Sequence, residues 1–144
     1  MSEHASAIDG ACHCGAVQFR VVLPGGLAGP VRCNCSYCRM KGAVMLFAGV
    51  EDITITEGAD RLCVYRFGSQ AARHYFCGTC GIHTHHQRRF DPAQIAVNAA
   101  CLAGVSPFDF TELRVLDGHI HPLDHGGGAL GVAGVLRYVP GGAD

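Results

Sequence analysis

Closely spaced cysteines carry most of the reactive chemistry of this chain. Nine cysteines occur in 144 residues, and seven of them fall into three short clusters. The clusters are Cys12-His13-Cys14, Cys33-Asn34-Cys35-Ser36-Tyr37-Cys38 and Cys77-Gly78-Thr79-Cys80. Protein zinc sites are usually tetrahedral, with four ligands when structural and three plus an exchangeable position when catalytic. Seven clustered thiolates are therefore enough for one closed site and a second site with three protein ligands.

The two outer clusters predict a structural zinc. We expect Cys12 and Cys14 to complete a four-thiolate site with Cys77 and Cys80, joining two ends of a small sheet. Glycines next to a Cys-x-x-Cys pair let the backbone adopt positive φ, so that N–H groups can turn towards the sulfurs. A redox-active Cys-x-x-Cys pair is the alternative, but the sequence lacks the βαβ pattern that usually accompanies it.

The middle cluster predicts a reactive site. We interpret Cys33, Cys35 and Cys38 as ligands of a second, more labile zinc and as catalytic residues, because a three-thiolate zinc suits a soft, exchangeable ligand such as a substrate thiolate. The alternative is a second structural zinc that is completed by a histidine. The candidates for that fourth ligand are His74, His83, His85 and His86.

Histidines and arginines downstream could complete the reactive site. His83 and His85 are two residues apart, so one face of a strand would carry both as a general acid/base or as a ligand. We predict Arg39, Arg73 and Arg88 as substrate-binding residues, since guanidinium groups bind carboxylates in a bidentate manner. Lys41 and Arg89 are further candidates, and a surface basic patch is the alternative. His119 and His121 could line the site or be exposed.

Composition excludes several functions. Apolar residues make up 49% of the chain, charged residues 16%, and the formal net charge is -1. This balance gives no general attraction to nucleic acid or anionic membranes, so we expect neither as a partner. The first residues lack a signal-peptide pattern, and no apolar run approaches the roughly 18 residues of a spanning helix. A cytoplasmic protein is expected, in which clustered cysteines act as metal ligands or redox thiols rather than disulfides.

Short strands should position these residues. Twenty glycines and six prolines indicate many turns, and alternating apolar residues indicate strands. We predict a loose tail at 1–9 and one mainly β domain at 10–140, with no more than one or two short helices. A capped helix should begin at Ser106 and end near Leu113, and the glycines at 126–128 should interrupt regular structure. The predicted strands are 16–21, 43–50, 52–56, 62–67, 74–76, 82–87, 113–116 and 135–139.

Three motifs, in this order, resemble the glutathione-dependent formaldehyde-activating enzyme family, which also contains centromere protein V. They are Gly10-Ala11-Cys12-His13-Cys14-Gly15-Ala16-Val17, Cys33-Asn34-Cys35-Ser36-Tyr37-Cys38-Arg39 and Phe76-Cys77-Gly78-Thr79-Cys80-Gly81. The resemblance implies a zinc-stapled β-tent fold with a structural zinc on the outer clusters and a second zinc on the middle one. There the family's enzyme condenses formaldehyde with glutathione to S-hydroxymethylglutathione, which makes a small thiol such as glutathione the expected partner.

Three functions follow from these patterns. The first is a zinc-dependent carbon–sulfur lyase that acts on a thiol–aldehyde adduct. The second is a non-catalytic zinc module that binds another macromolecule, for which the second metal would be fully coordinated by protein. The third is a sensor whose cysteines release zinc on oxidation. The sequence leaves open whether the chain forms a homo-oligomer.

Overall fold

Eleven short strands, one four-residue helix and several 3₁₀ turns make up residues 6–142, the part of the chain that this computed structural model describes. The helix, α1, spans Cys38–Lys41, and no helix among these residues is long and apolar enough to cross a membrane. The strands are β1 Ala7–Ala11, β2 Gln18–Val22, β3 Val31–Cys33, β4 Met45–Gly49, β5 Ile53–Glu57, β6 Leu62–Tyr65, β7 Arg73–Cys77, β8 His83–Gln87, β9 Gln94–Asn98, β10 Glu112–Leu116 and β11 Val132–Arg137. The expected mainly β fold is confirmed.

The strands form two sheets. The small sheet has the order β1-β2-β5, and the large sheet has the order β11-β10-β3-β4-β9-β8-β7-β6. Neighbouring strands are antiparallel except for β3 and β10, which are parallel. The main core joins the two sheets, because Phe19 and Val21 of β2 pack with Leu46 of β4 and Val97 of β9. The apolar alternation in β2 and the continuous apolar run in β4 therefore have one cause, which is burial of the small sheet against the centre of the large one.

The N-terminal residues correct one prediction. A loose tail over residues 1–9 is wrong for Ala7–Asp9, which belong to β1 and pair with Arg20–Val22 of β2. Asp9 also accepts a hydrogen bond from Arg20 at 2.9 Å, and Ile8 packs against the core. The strand depends on β2 as its partner, and that partner is not visible in local composition. Residues 1–5 lie outside the described residues.

A β-bulge changes the face on which the histidines lie. Phe76 of β7 pairs with His83 and Tyr75 pairs with His85, so Thr84 is an extra residue in β8. Such an insertion shifts the alternation of side chains by one. The prediction that His83 and His85 share a face is therefore wrong. His83 lies with His86, their ring centroids 5.9 Å apart, whereas the ring of His85 stacks on Tyr75 at 4.6 Å.

The later elements follow the predicted order with different bounds. Ser106 accepts a hydrogen bond from the N–H of Phe108 and Asp109 accepts one from the N–H of Ser106, as predicted for a helix start. The capped segment is only the 3₁₀ turn Pro107–Asp109, and the expected extension to Leu113 is wrong. Leu113 is instead in β10, which pairs with β3 and β11. The glycines at 126–128 lie outside strands, as predicted.

Gly58 offers a test of how the small sheet is closed. Its φ is +76°, and a Cβ there would lie 1.9 Å from the carbonyl oxygen of Ala16. Gly58→Ala should lower the free energy of unfolding by about 2 to 5 kcal/mol, because left-handed strain and overpacking add. Gly68→Ala is the matched control, since Gly68 also has positive φ but no atom within 4 Å of the added Cβ. Gly68→Ala should lower the free energy of unfolding, measured with urea, by about 1 to 2 kcal/mol. Equal losses in the two variants would contradict the close approach of Gly58 to the carbonyl oxygen of Ala16.

Candidate metal centres and cavity

The four-cysteine cluster consists of Cys12, Cys14, Cys77 and Cys80, whose sulfurs all lie within 4.8 Å of one another. Cys12 and Cys14 follow β1 of the small sheet, and Cys77 ends β7 of the large sheet. The sulfur–sulfur distances are 3.7 Å for Cys12–Cys14 and 3.8 Å for Cys14–Cys77. These are far longer than a disulfide and match the edge of a ZnS₄ tetrahedron, about 3.8 Å for Zn–S bonds of about 2.3 Å. The cluster could hold zinc in the predicted arrangement.

Backbone N–H groups support these sulfurs. Val17 donates to Cys12 Sγ at 3.3 Å, and Thr79 donates to Cys77 Sγ at 3.3 Å. Backbone hydrogen bonds at Cys14 and Ile82 lower the pKa of Cys80 to about 6. Gly81 has a φ of +79°, so the turn after Cys80 uses the conformation expected of its glycine. The loop after β7 therefore favours thiolates at Cys77 and Cys80, which are the form that binds a metal.

The three-cysteine cluster consists of Cys33, Cys35 and Cys38, and its sulfurs also lie within 4.8 Å of one another. Cys33 ends β3 and Cys38 begins α1. The N–H of Cys35 donates to Cys33 Sγ at 3.4 Å, and the N–H of Cys38 donates to Cys35 Sγ at 3.3 Å. Within residues 6–142, no histidine, carboxylate or further cysteine joins this group at that spacing. The donor set therefore fits a zinc ion with three protein thiolates.

Electrostatics single out Cys35 within this cluster. Hydrogen bonds from the thiols of Cys33 and Cys38 hold the pKa of Cys35 far below its ordinary value. Hydrogen bonds with Cys33 and Cys35 raise the pKa of Cys38, and burial raises it further. Without a metal, the three sulfurs thus favour a single negative charge on Cys35. A divalent cation would remove this restriction, because all three sulfurs could then be thiolates.

A distant loop closes over the three-cysteine cluster. A Cβ on Gly118 would lie 2.5 Å from Cys33 Sγ and 3.0 Å from Cys35 Cβ. Asn34 fastens the same loop, since it donates to Asp117 Oδ1 at 3.2 Å and accepts from the N–H of His119 at 2.9 Å. Local sequence gives no sign of this contact between Gly118 and cysteines more than 80 residues away.

A cavity of about 410 Å³ lies beside the three-cysteine cluster, whose three members form part of its wall. This volume falls in the range of sites for small molecules, about 300 to 1,000 Å³. Phe47, Phe67, Phe90 and Leu130 supply much of the apolar lining. Four histidines also line the cavity, and they are His74, His86, His119 and His121. His119 and His121 thus both line this cavity, and His119 is also exposed to solvent.

The buried histidines occupy three different places. His74 and His86 line the cavity, with ring centroids 4.8 Å apart. His83 is behind this wall, and its Nε2 lies 3.2 Å from the ammonium of Lys41. His85 contacts the hydroxyl of Thr84 at 2.9 Å, and its ring faces Phe19 of the core. The structure therefore brings neither of the two predicted catalytic histidines to the cavity wall, but it does bring their neighbours His74 and His86.

Burial keeps these imidazoles neutral at pH 7. It lowers the pKa of His74 to about 4 and that of His83 to about 2, and the nearby Lys41 ammonium adds to both effects. The same two causes lower the pKa of His86. Burial alone lowers the pKa of His85 to about 4. Neutral imidazole can accept one proton and donate another, which is the property that a proton-transfer group needs.

Of the three predicted substrate-binding arginines, only Arg88 lines the cavity. Its guanidinium lies 4.2 Å from the ring centroid of Phe47 and 5.5 Å from that of Phe90. Arg89 also lines the cavity but donates two hydrogen bonds to Asp124, at 2.6 and 3.1 Å. Arg39 and Arg73 are exposed and do not line the cavity. Arg88 is thus the cation of this wall with no carboxylate partner among the described residues.

Gly118 offers a test of the contact with Cys33. Gly118→Ala should displace Cys33 and weaken zinc binding at the three-cysteine cluster by about 10- to 100-fold, as expected when support around a metal ligand is disturbed. Gly134→Ala is the matched control, because nothing lies within 4 Å of a Cβ added there. Zinc release to a chromophoric chelator measures both sites. Unchanged affinity in Gly118→Ala would show that the loop is not held against the cluster.

Comparison with known proteins agrees with this geometry. A protein of Halomonas elongata named "Putative glutathione-dependent formaldehyde-activating enzyme" is 37% identical over 82 residues, which cover 51% of each chain. The aligned part thus spans about half the length of that curated relative. A crystal structure of a Rhodobacter sphaeroides protein is 48% identical, has a TM-score of 0.73 and covers 74% of this chain and 98% of the other.

The family assignment rests on a longer match. Residues 7–112 match the family described as "Glutathione-dependent formaldehyde-activating enzyme". This range begins at β1 and ends where β10 begins, and it includes all seven clustered cysteines. The order of the motifs, the fold and the two cysteine clusters all agree with the same assignment, and the chain belongs to the glutathione-dependent formaldehyde-activating enzyme family.

Proposed function

We propose that the chain is a zinc-dependent carbon–sulfur lyase-type enzyme that joins formaldehyde and a small thiol such as glutathione. The observation that carries this proposal is the position of the three-cysteine cluster in the wall of a cavity of about 410 Å³. A purely structural zinc would gain nothing from lying next to such a cavity. The family membership supports the same substrate class.

Zinc is the metal that the proposal assigns to both clusters. Cys12, Cys14, Cys77 and Cys80 would hold the structural ion, and Cys33, Cys35 and Cys38 would hold the catalytic one. Zinc bound by three thiolates supplies a position for an exchangeable soft ligand and favours the thiolate form of that ligand. The cavity next to the cluster would admit this thiol from solvent.

The overall reaction is an addition. The thiol sulfur forms a bond to the carbon of formaldehyde, the carbonyl π bond breaks, and the thiol proton is transferred to the oxygen, which gives S-hydroxymethylglutathione when the thiol is glutathione. Neutral His86 would relay the thiol proton to the oxygen, since it lines the cavity. His74 lines the same wall, but its Nδ1 accepts from Lys41, so its other ring nitrogen can only donate a hydrogen bond. We assign the relay to His86 in place of His83 and His85, which lie behind the cavity wall and on the other face of β8.

Arg88 is the proposed anchor for a carboxylate of the thiol. Two aromatic rings hold its guanidinium in the cavity wall, so little side-chain freedom is lost when an anion binds. Arg89 is already engaged by Asp124. Arg39 and Arg73 are withdrawn as substrate-binding residues because both lie outside the cavity.

The two alternative functions make different demands. A non-catalytic zinc module should have a fully coordinated second metal, but no fourth protein ligand lies at the three-cysteine cluster in the described part of the chain. A redox sensor should release zinc when peroxide oxidises Cys35. If a peroxide titration releases no zinc, this sensor function is excluded.

The division between the two clusters is tested by paired substitutions. Cys35→Ser should lower the rate of S-hydroxymethylglutathione formation by at least about 100-fold, because a ligand of the catalytic ion is lost, while the fold remains. Cys77→Ser should unfold the chain, since structural zinc contributes on the order of 10 kcal/mol of apparent binding free energy. Exchange spectroscopy with ¹³C-formaldehyde measures the rate, and circular dichroism measures folding. Equal effects of both substitutions on both readouts would contradict the division.

The proposed role of Arg88 is tested with two thiols. Arg88→Met should raise KM for glutathione about 10- to 100-fold, which corresponds to the loss of a charge-assisted hydrogen bond of about 1.5 to 3 kcal/mol. It should leave KM for 2-mercaptoethanol unchanged, because this thiol has no carboxylate. Arg114→Met is the control, since Arg114 is exposed on β10 and does not line the cavity. Equal changes for the two thiols would mean that Arg88 only supports packing.

A further inference from the structure

Lys41 is the only lysine in the sequence, whereas the other ten basic residues are arginines. It lies at the end of α1, the helix that begins with Cys38. Residues three apart in a helix share a face, so the lysine side chain and the Cys38 sulfur lie on the same side. The position of this single lysine therefore places an ammonium group beside the three-cysteine cluster.

Two buried histidines orient the ammonium. The Nζ of Lys41 is 3.2 Å from His83 Nε2 and 3.5 Å from His74 Nδ1. Because both imidazoles are neutral, their ring nitrogens can accept hydrogen bonds from the ammonium. A lysine ammonium is a compact charge whose three donors point in different directions. It can therefore bond to both imidazoles and still direct a donor elsewhere, whereas the donors of a guanidinium lie in one plane.

The ammonium also interacts with the cysteines. Burial lowers the pKa of Lys41, and the three cysteine sulfurs oppose this shift, with Cys38 contributing most of the three. Lys41 does not line the cavity. The cavity side of the cluster has its own cation in Arg88, which lines the cavity wall. The three-cysteine cluster thus has a cation behind it as well as one in the cavity wall.

This arrangement excludes one role and favours another. An amine that attacked the aldehyde would have to reach the cavity, and Lys41 lies behind its wall. A zinc ion with three thiolates carries a net charge of -1, and a bound substrate thiolate would make it -2. A fixed cation close to the sulfurs stabilises this added charge at no reorganisation cost.

We infer that Lys41 is a positioning residue whose ammonium, oriented by His74 and His83, stabilises the negative charge that a substrate thiolate adds to the three-cysteine metal site. The inference rests on the proposed function in that it assumes that a thiol binds there. It does not depend on formaldehyde or on turnover.

Thiol affinity is the direct measurement. In the cobalt-substituted protein, sulfur-to-cobalt charge-transfer absorption reports binding of 2-mercaptoethanol at the three-cysteine cluster. Lys41→Met should weaken thiol binding at least tenfold. Lys41→Arg should bind thiol as weakly as Lys41→Met, because a planar guanidinium does not fit between the two histidines. Arg114→Met removes the same charge from an exposed strand and should bind thiol like the wild type. Wild-type thiol affinity in Lys41→Met would overturn the inference, even if the enzyme is active.

A second measurement needs no variant. With ¹⁵Nζ-labelled lysine, the wild-type zinc protein gives a single side-chain ammonium signal, and thiol binding should shift it. No shift under saturating thiol would overturn the inference independently of any folding defect. If the signal shifts and Lys41→Met weakens thiol binding while formaldehyde is not turned over, the proposed function fails and the role of Lys41 stands.

Discussion

The structure depends on bringing four cysteine sulfurs from two sheets to within 4.8 Å of one another. Cys12 and Cys14 come from the end of the small sheet, and Cys77 and Cys80 come from the turn between two strands of the large sheet. Four thiolates at this distance would repel one another, so a bound cation would be needed to keep all four sulfurs ionised. A small apolar cluster of Val17 and Leu62 surrounds these cysteines and complements the main core. A metal bound by this cluster would therefore stabilise the same junction as the packing of the two sheets.

The cavity beside the three-cysteine cluster depends on this junction indirectly. Cys77 ends β7, and His74 lies three residues earlier on the same strand. The register of β7 and β8 then decides which histidines of β8 reach the cavity, and the bulge at Thr84 selects His86 instead of His85. A distortion of the four-cysteine cluster should therefore also displace His74, because Cys77 and His74 lie on the same strand.

Two cations of different type serve the three-cysteine cluster. Arg88 is held between aromatic rings in the cavity wall, where a planar group with several donors can receive a carboxylate. Lys41 is behind the cluster, where a compact ammonium fits between two imidazoles and the sulfurs. Burial keeps these imidazoles neutral, so they add donors and acceptors to the site without adding charge. Apart from the Arg89–Asp124 ion pair, the charges named at this site are therefore those of the sulfurs and of these two cations.

The sequence by itself determined the features that depend on local spacing. The Cys-x-Cys and Cys-x-x-Cys pairs place their sulfurs close together in any turn, and alternation in segments such as 16–21 indicates strands because the side-chain period of a strand is two. The three motifs also indicated the family, and the capped turn at Ser106 was visible from its residues. The tertiary structure alone decided whatever depends on a partner distant in the chain. It made a strand of Ala7–Asp9 through β2, shifted the histidine faces through one inserted residue, and chose Arg88 over Arg39 and Arg73. It also placed Gly118 against Cys33 and Lys41 between His74 and His83, contacts that bring together segments more than 30 residues apart.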